Sequence, residues 1–142
     1  MERIGRIIHH LAILNRNDSN QRLKESGLTS NEGSVLMFLS RHSKVYQEEL
    51  IKELQIDKSA VTRLLQNMEN KGLIKRIQSP VDKRFYLLEM TALGQEKQQI
   101  VDQTFAKKDF ILVSGLSEKE QEELRRMLDV IQTNLKGGKI NE

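Results

Sequence analysis

Residues 57–94 admit few folds, because a short amphipathic helix, a glycine stop and two strand-like runs around a charged turn follow one another without a linker. Val61, Leu64, Leu65 and Met68 fall at i, i+3, i+4 and i+7, the apolar stripe of a helix lying on a core. Ser59, Thr62, Arg63, Gln66 and Asn70 take the other side, which holds no acid. Asp57 stands where an N-cap carboxylate accepts from the first free N–H groups, and Gly72 where a left-handed residue closes the helix. Together they predict a helix of roughly 13 residues.

Past the glycine, residues 73–78 and 85–90 are rich in apolar, β-branched and aromatic side chains, and Ser79-Pro80-Val81-Asp82-Lys83-Arg84 separates them. The pattern predicts a hairpin with an exposed basic tip. On its second run Tyr86, Leu88 and Met90 alternate with Phe85, Leu87 and Glu89, so one face can pack on helices. Hydroxyl, amide and guanidinium groups on the preceding helix are the side chains that bond base edges and phosphate oxygens. Charge distribution agrees. Net charge is only +3, but residues 58–84 carry seven basic side chains against two acids, leaving +5 there and −2 on the remainder. Such a field suits an anionic partner, nucleic acid above all.

Elsewhere the pattern is helical. Ile4, Ile7, Ile8, Leu11 and Leu14 mark a first helix, and the polar residues 15–26 either continue it as a solvated rod or fray. Thr29-Ser30-Asn31-Glu32 is a capping box opening a second helix with Val35, Leu36, Phe38 and Leu39. A third, near residues 47–54, carries Leu50, Ile51 and Leu54, then turns through Gln55-Ile56 into the polar-faced helix. Helix, turn, helix in this order is an arrangement in which the first helix braces and the second enters a DNA groove. Thr91 can cap a fifth helix and Ser117-Glu118-Lys119-Glu120 a sixth, with Leu124, Met127, Leu128, Ile131 and Leu135 on one stripe and a break near Ser114-Gly115. The apolar stripes at the chain ends, with Ile4, Ile7, Leu11, Leu124, Leu128 and Ile131 as their chief members, have little local core to cover. Burial against a second copy in a two-fold dimer is the economical solution.

Several function classes are excluded or weakened. With no cysteine among 142 residues there is no disulfide frame, thiolate zinc site or cysteine redox switch. His9 and His10 are adjacent and therefore point in different helix directions, and His42 has no partner at ligand spacing, so no metal is expected. The methionines Met37, Met68, Met90 and Met127 are expected as core filler. No phosphate loop, nucleophile elbow or H-E-x-x-H motif is present, so an enzyme is not expected. Neither a membrane-length apolar run nor a signal-peptide core follows Met1, which predicts a cytoplasmic protein.

The chain resembles the MarR-type (multiple antibiotic resistance regulator) transcription factors. The resemblance runs through Ser59, Val61-Thr62-Arg63-Leu64, Met68, Lys71-Gly72-Leu73-Ile74, Arg76, Pro80, Asp82-Lys83-Arg84, Leu88 and Thr91 to Gly94, with Met90 where the family usually has leucine. It implies a mainly α fold with a small β-hairpin wing, a winged helix-turn-helix carried on long N- and C-terminal dimerisation helices. A single domain over 1–142 follows, with 28–90 as winged unit, 1–26 and 91–136 as dimerisation helices and 137–142 as a loose tail. The absence of cysteine removes the peroxide-sensing branch as a template. By the same resemblance, Lys58, Ser59, Thr62, Arg63 and Gln66 enter a major groove, Arg84 enters a neighbouring minor groove with Asp82 posing its guanidinium, and Lys83 contacts phosphate or solvent. The expected function is a homodimeric repressor on a pseudo-palindromic double-stranded DNA operator, with no cofactor. A small-molecule effector of unknown identity, bound between dimer helices and winged unit, would alter half-site spacing. The alternative is a winged-helix module docking an acidic protein partner, which salt-dependent binding to random duplex would separate from the first reading.

Overall fold

A computed structural model describes residues 1–137 as six α-helices and a small antiparallel sheet. The helices are α1 (Ile4–Leu23), α2 (Ser30–Arg41), α3 (Gln47–Leu54), α4 (Lys58–Asn70), α5 (Ala92–Leu112) and α6 (Glu118–Gly137). The strands are β1 (Val45–Tyr46), β2 (Ile74–Gln78) and β3 (Tyr86–Met90), in the order β1-β3-β2. The described residues form two compact units, Met1–Phe105 and the part from Ala106 onward. Among the described residues no helix is long and apolar enough to cross a membrane.

The polar stretch 15–26 continues α1 and ends in a 3-10 turn, Lys24–Ser26. It does so because Leu23 is fully buried and Ser19 nearly so, which docks an otherwise solvated rod onto the core. Gly27 then takes a φ of +74°, reversing the chain into α2. Both bonds of the Thr29 capping box form: Glu32 N–H donates to Thr29 Oγ1 (3.2 Å) and Thr29 N–H to Glu32 Oε1 (2.9 Å). The Ser117 box is likewise complete, with Ser117 N–H on Glu120 Oε1 (2.9 Å) and Glu120 N–H on Ser117 Oγ (3.1 Å). Gly115, at a φ of +93°, makes the turn between α5 and α6. Gly137, expected in the tail, is the last residue of α6. The rest of that expected tail, residues 138–142, lies outside the described residues.

The core of the first unit joins Leu23, Val35, Leu36, Leu39, Val45, Leu50, Val61, Leu65, Met68, Leu73, Leu88 and Val101, all at most 2% exposed. Members come from α1, α2, α3, α4, the sheet and the first half of α5, so one apolar cluster sets the mutual orientation of the polar-faced helix and the hairpin. Packing is close where α2 crosses its neighbours. A Cβ at Gly33 would approach Leu23 Cδ1, Val101 Cγ1 and Phe105 Cζ at 3.1–3.3 Å.

The end of α4, the start of β2 and the start of α5 meet at one junction. Gly72 N–H donates to Glu69 O (2.9 Å) and Leu73 N–H to Met68 O (3.0 Å), the two bonds of a Schellman closure with Gly72 at a φ of +75°. Thr91 N–H then donates to Leu73 O (3.1 Å), Thr91 Oγ1 donates to Gly72 O, and Gly94 N–H donates back to Thr91 Oγ1 (3.0 Å). Gly94 is buried there, and any Cβ on it would land on the Leu73 carbonyl oxygen. Gly94→Ala should therefore destabilise the protein by about 1–3 kcal/mol or more, the cost of overpacking a closed site. Urea unfolding at fixed protein concentration checks this, and an unchanged midpoint would refute the contact.

Candidate nucleic-acid interface

Helix α4 buries Val61, Leu65 and Met68 and leaves Lys58, Ser59, Thr62, Arg63 and Gln66 exposed, so its five expected contact residues share the solvent side. Its N-terminus differs from expectation. Asp57 occupies the N-cap position, but its carboxylate accepts the Ser59 hydroxyl and caps no backbone N–H. A side-chain donor two residues on competes with the amides for a short carboxylate. Thr62 Oγ1 donates to Lys58 O (3.0 Å), and Gln66 Nε2 donates to Asn70 Oδ1 (3.2 Å). Arg63 and the Lys58 ammonium make no hydrogen bond or ion pair within the described chain, leaving both free for an external anion.

The hairpin runs in register from Ile74 opposite Met90 to Gln78 opposite Tyr86. Its inner face is Ile74 and Leu88, both buried. Tyr86 is 39% exposed, and the Arg76 guanidinium lies over its ring at 4.5 Å while Arg76 Nη1 sits 3.6 Å from Glu69 Oε1. This arginine therefore links α4 to both strands of the wing. Sequence reasoning missed the short strand β1, which pairs with β3 through Val45 and Leu88 and through Tyr46 and Leu87. Two residues are too few for alternation to register. The buried Ser79 was also missed: its hydroxyl bonds Tyr46 Oη (3.2 Å) and accepts from Val81 N–H (3.2 Å), tying the tip to β1.

At the tip the Asp82 carboxylate grips Arg84. Arg84 Nη2 donates to Asp82 Oδ2 (2.7 Å), Nε to both carboxylate oxygens (3.1 and 3.2 Å) and the Arg84 N–H to Oδ1 (3.0 Å). The Arg84 side chain is nonetheless 82% exposed. One edge of the guanidinium is held and the rest faces outward, a posture for inserting an arginine between phosphate walls. Lys83 is exposed beside it, and its carbonyl accepts from Gln78 Nε2 (2.8 Å). The structure thus places all the expected helix contacts on one face of α4 and Asp82, Lys83 and Arg84 together on the tip.

Not all of the basic cluster is available. Lys71 Nζ donates to both oxygens of the buried Glu32 carboxylate (2.8 and 2.9 Å) and to Gly27 O (3.0 Å), so it braces α4 against the start of α2. The expected dimerisation residues are unburied within one chain: Ile4, Ile7 and Leu11 are 62, 37 and 56% exposed on α1, and Leu128 is 49% exposed on α6. Leu124 and Ile131 are half-buried on the same helix.

The Arg84 side chain, and then its backbone N–H, hold the Asp82 carboxyl below the ordinary 3.8, while Asp82 raises the arginine. Because the folded value is depressed, the grip is complete above the ordinary carboxylate range and is lost only as pH falls through the lowered value. An NMR titration should place Asp82 below 3.8 and Arg84→Ala should return it toward that figure. A native-like wild-type value near 3.8 would contradict the grip.

Comparison with known proteins places the chain among winged-helix transcription regulators. A family model described as the MarR family matches residues 26–84. The transcriptional regulator MgrA of Staphylococcus aureus is 33% identical over 117 residues, 81% of this chain and 77% of MgrA. An uncharacterised HTH-type regulator, YdgJ of Bacillus subtilis, is 29% identical over 75% of this chain, and the match spans 63% of YdgJ. Among solved structures, a MarR family regulator from Listeria monocytogenes complexed with a 26mer DNA superposes with a TM-score of 0.87 at 27% identity, covering 95% of this chain and 90% of that one. A mutant Escherichia coli MarR complexed with operator DNA superposes at 0.83 with 26% identity, over 90 and 92% of the two chains.

Proposed function

Because this chain belongs to the MarR family of transcription regulators, which are not enzymes, we propose that it is a cytoplasmic homodimer that represses transcription from a pseudo-palindromic duplex operator. The observation that carries this reading is the outward Arg84 held by Asp82 on a wing that shares one core with the free Arg63 of α4. In each subunit α4 lies in a major groove, where Arg63 and Gln66 meet base edges and Lys58, Ser59 and Thr62 position the helix on the backbone. Arg84 enters the neighbouring minor groove, with Lys83 toward phosphate. That two relatives of the same fold are seen with DNA supports duplex DNA as the partner. The relatives described above give no support to the alternative of a module docking an acidic protein. A small-molecule effector releases the operator, and no cofactor is needed.

Selection of bound genomic fragments identifies the operator and tests the proposal outright. Against that operator Arg84→Ala should cost about 1–3 kcal/mol in affinity, the range for loss of a good specific contact. Arg63→Ala should weaken the selected operator more than random duplex. Unchanged affinity of a folded Arg84→Ala protein would remove the minor-groove role, and equal loss on every sequence would reduce Arg63 to a phosphate contact.

The exposed stripes on α1 and α6 support a dimer built by burying them against a second copy. Leu128→Asp should dissociate or unfold the protein and abolish tight operator binding. Sedimentation of the unmutated chain as a folded monomer at high concentration would contradict the interface.

A further inference from the structure

Tyr46, in the two-residue strand β1, reaches both members of the Asp82 and Arg84 pair, although neither is near it in sequence. One path runs through its hydroxyl. Ser79 Oγ accepts from Val81 N–H (3.2 Å) and Asp82 N–H (3.4 Å), which takes both lone pairs and leaves the serine hydrogen for Tyr46 Oη (3.2 Å). Ser79 is 2% exposed, so without that acceptor its hydroxyl would be buried and unpaired. The other path runs through the ring. Tyr46 meets Phe85 edge to face at 6.3 Å between ring centres, and the Arg84 guanidinium carbon lies 5.8 Å from the centre of the Phe85 ring. Phe85 is itself fixed, because its N–H donates to Asp82 O (3.1 Å) and its carbonyl accepts from Ser79 N–H (2.9 Å). Its side chain is still 38% exposed, so burial alone does not account for an aromatic residue there.

We infer that Tyr46 is a positioning residue for the wing arginine, setting through Ser79 and Phe85 the height and tilt at which Arg84 projects. The two paths close a circuit: hydroxyl to Ser79, Ser79 to the Asp82 backbone, Asp82 carboxylate to the guanidinium, guanidinium to Phe85 and Phe85 back to Tyr46. Asp82 holds the arginine by an edge, and Phe85 limits it from a face. A guanidinium restrained on both counts loses less rotamer freedom on binding, and it tolerates less variation in groove width. The role rests on the DNA-binding reading, since the arginine needs a fixed posture only against a groove. Tyr46 acts on the operator through Arg84 alone.

Titration of the selected operator with the full chain, alone and in a double-mutant cycle with Arg84→Ala, tests the role. Tyr46→Phe, which removes only the hydroxyl, should weaken binding about fivefold, the worth of one hydrogen bond. Phe85→Leu should weaken it about threefold, the worth of an exposed cation–π contact. In an Arg84→Ala background each loss should shrink below about twofold, because the coupling runs through the arginine. NMR of the duplex-free protein should show Asp82 titrating closer to 3.8 in Tyr46→Phe than in wild type. A tyrosine that served only the sheet would lower the urea midpoint and leave both the Asp82 titration and the arginine-dependent share of affinity in place. Unchanged operator affinity in a folded Tyr46→Phe protein, equal losses with and without Arg84, or an unmoved Asp82 titration each overturns the role. If Tyr46→Phe unfolds, Phe85→Leu answers the same questions through the ring path. Wild-type protein that binds no duplex defeats the DNA-binding reading instead, and the Asp82 titration in the free variants still decides whether Tyr46 holds the tip.

Discussion

The carbonyl of Leu73 and the glycine before it govern the geometry of the whole winged unit. Helix α4 can end only where the chain enters the left-handed region, and Gly72 supplies that conformation without a Cβ penalty. The next carbonyl receives the Thr91 amide, so the end of α4 and the start of α5 are fastened to each other across the base of the wing. Gly94 then packs where no side chain fits, bringing α5 against the backbone that leaves α4. A change here would move the wing and α4 relative to each other, and both are required at defined positions on a duplex.

Electrostatics divides the basic residues into two sets. Lys71, Arg76 and Arg84 face Glu32, Glu69 and Asp82, so part of the positive field is spent on internal bracing. Lys58, Arg63 and Lys83 have no ion-paired acid in the described chain and carry the outward field, while Lys75 stands opposite Glu89 in the ladder. The Glu32 bridge is the most buried of these pairs, with its carboxylate also closing the α2 capping box. Taking one carboxylate into the core is tolerable because the capping amide and the Lys71 ammonium satisfy it there. The Asp82 pair lies at the surface, with the arginine 82% exposed, and adds little to stability. Its value is orientational, as it holds an arginine that still projects.

Much of the fold was legible locally. The apolar spacing in α4, the two capping boxes, Gly72 and the wing runs all act within a few residues of one another, and each formed where its pattern stands. Apart from the cap at Asp57, what escaped depends on partners distant in sequence. The Asp57 carboxylate took a hydroxyl instead of the amides because two local acceptor-donor pairings compete at similar energy. The strand β1 exists only because β3 offers it an edge, and the polar second half of α1 is held because Leu23 finds a core.

The sequence alone determined the order of helices, the identity of the polar-faced helix, the hairpin with its D-x-R tip and the concentration of positive charge on residues 58–84, since periodicity, capping and charge are properties of neighbours along the chain. Only the tertiary structure decided which cations remain free. Whether Lys71 meets Glu32 or a phosphate depends on residues 39 apart being brought together by the core, and no local pattern encodes that distance.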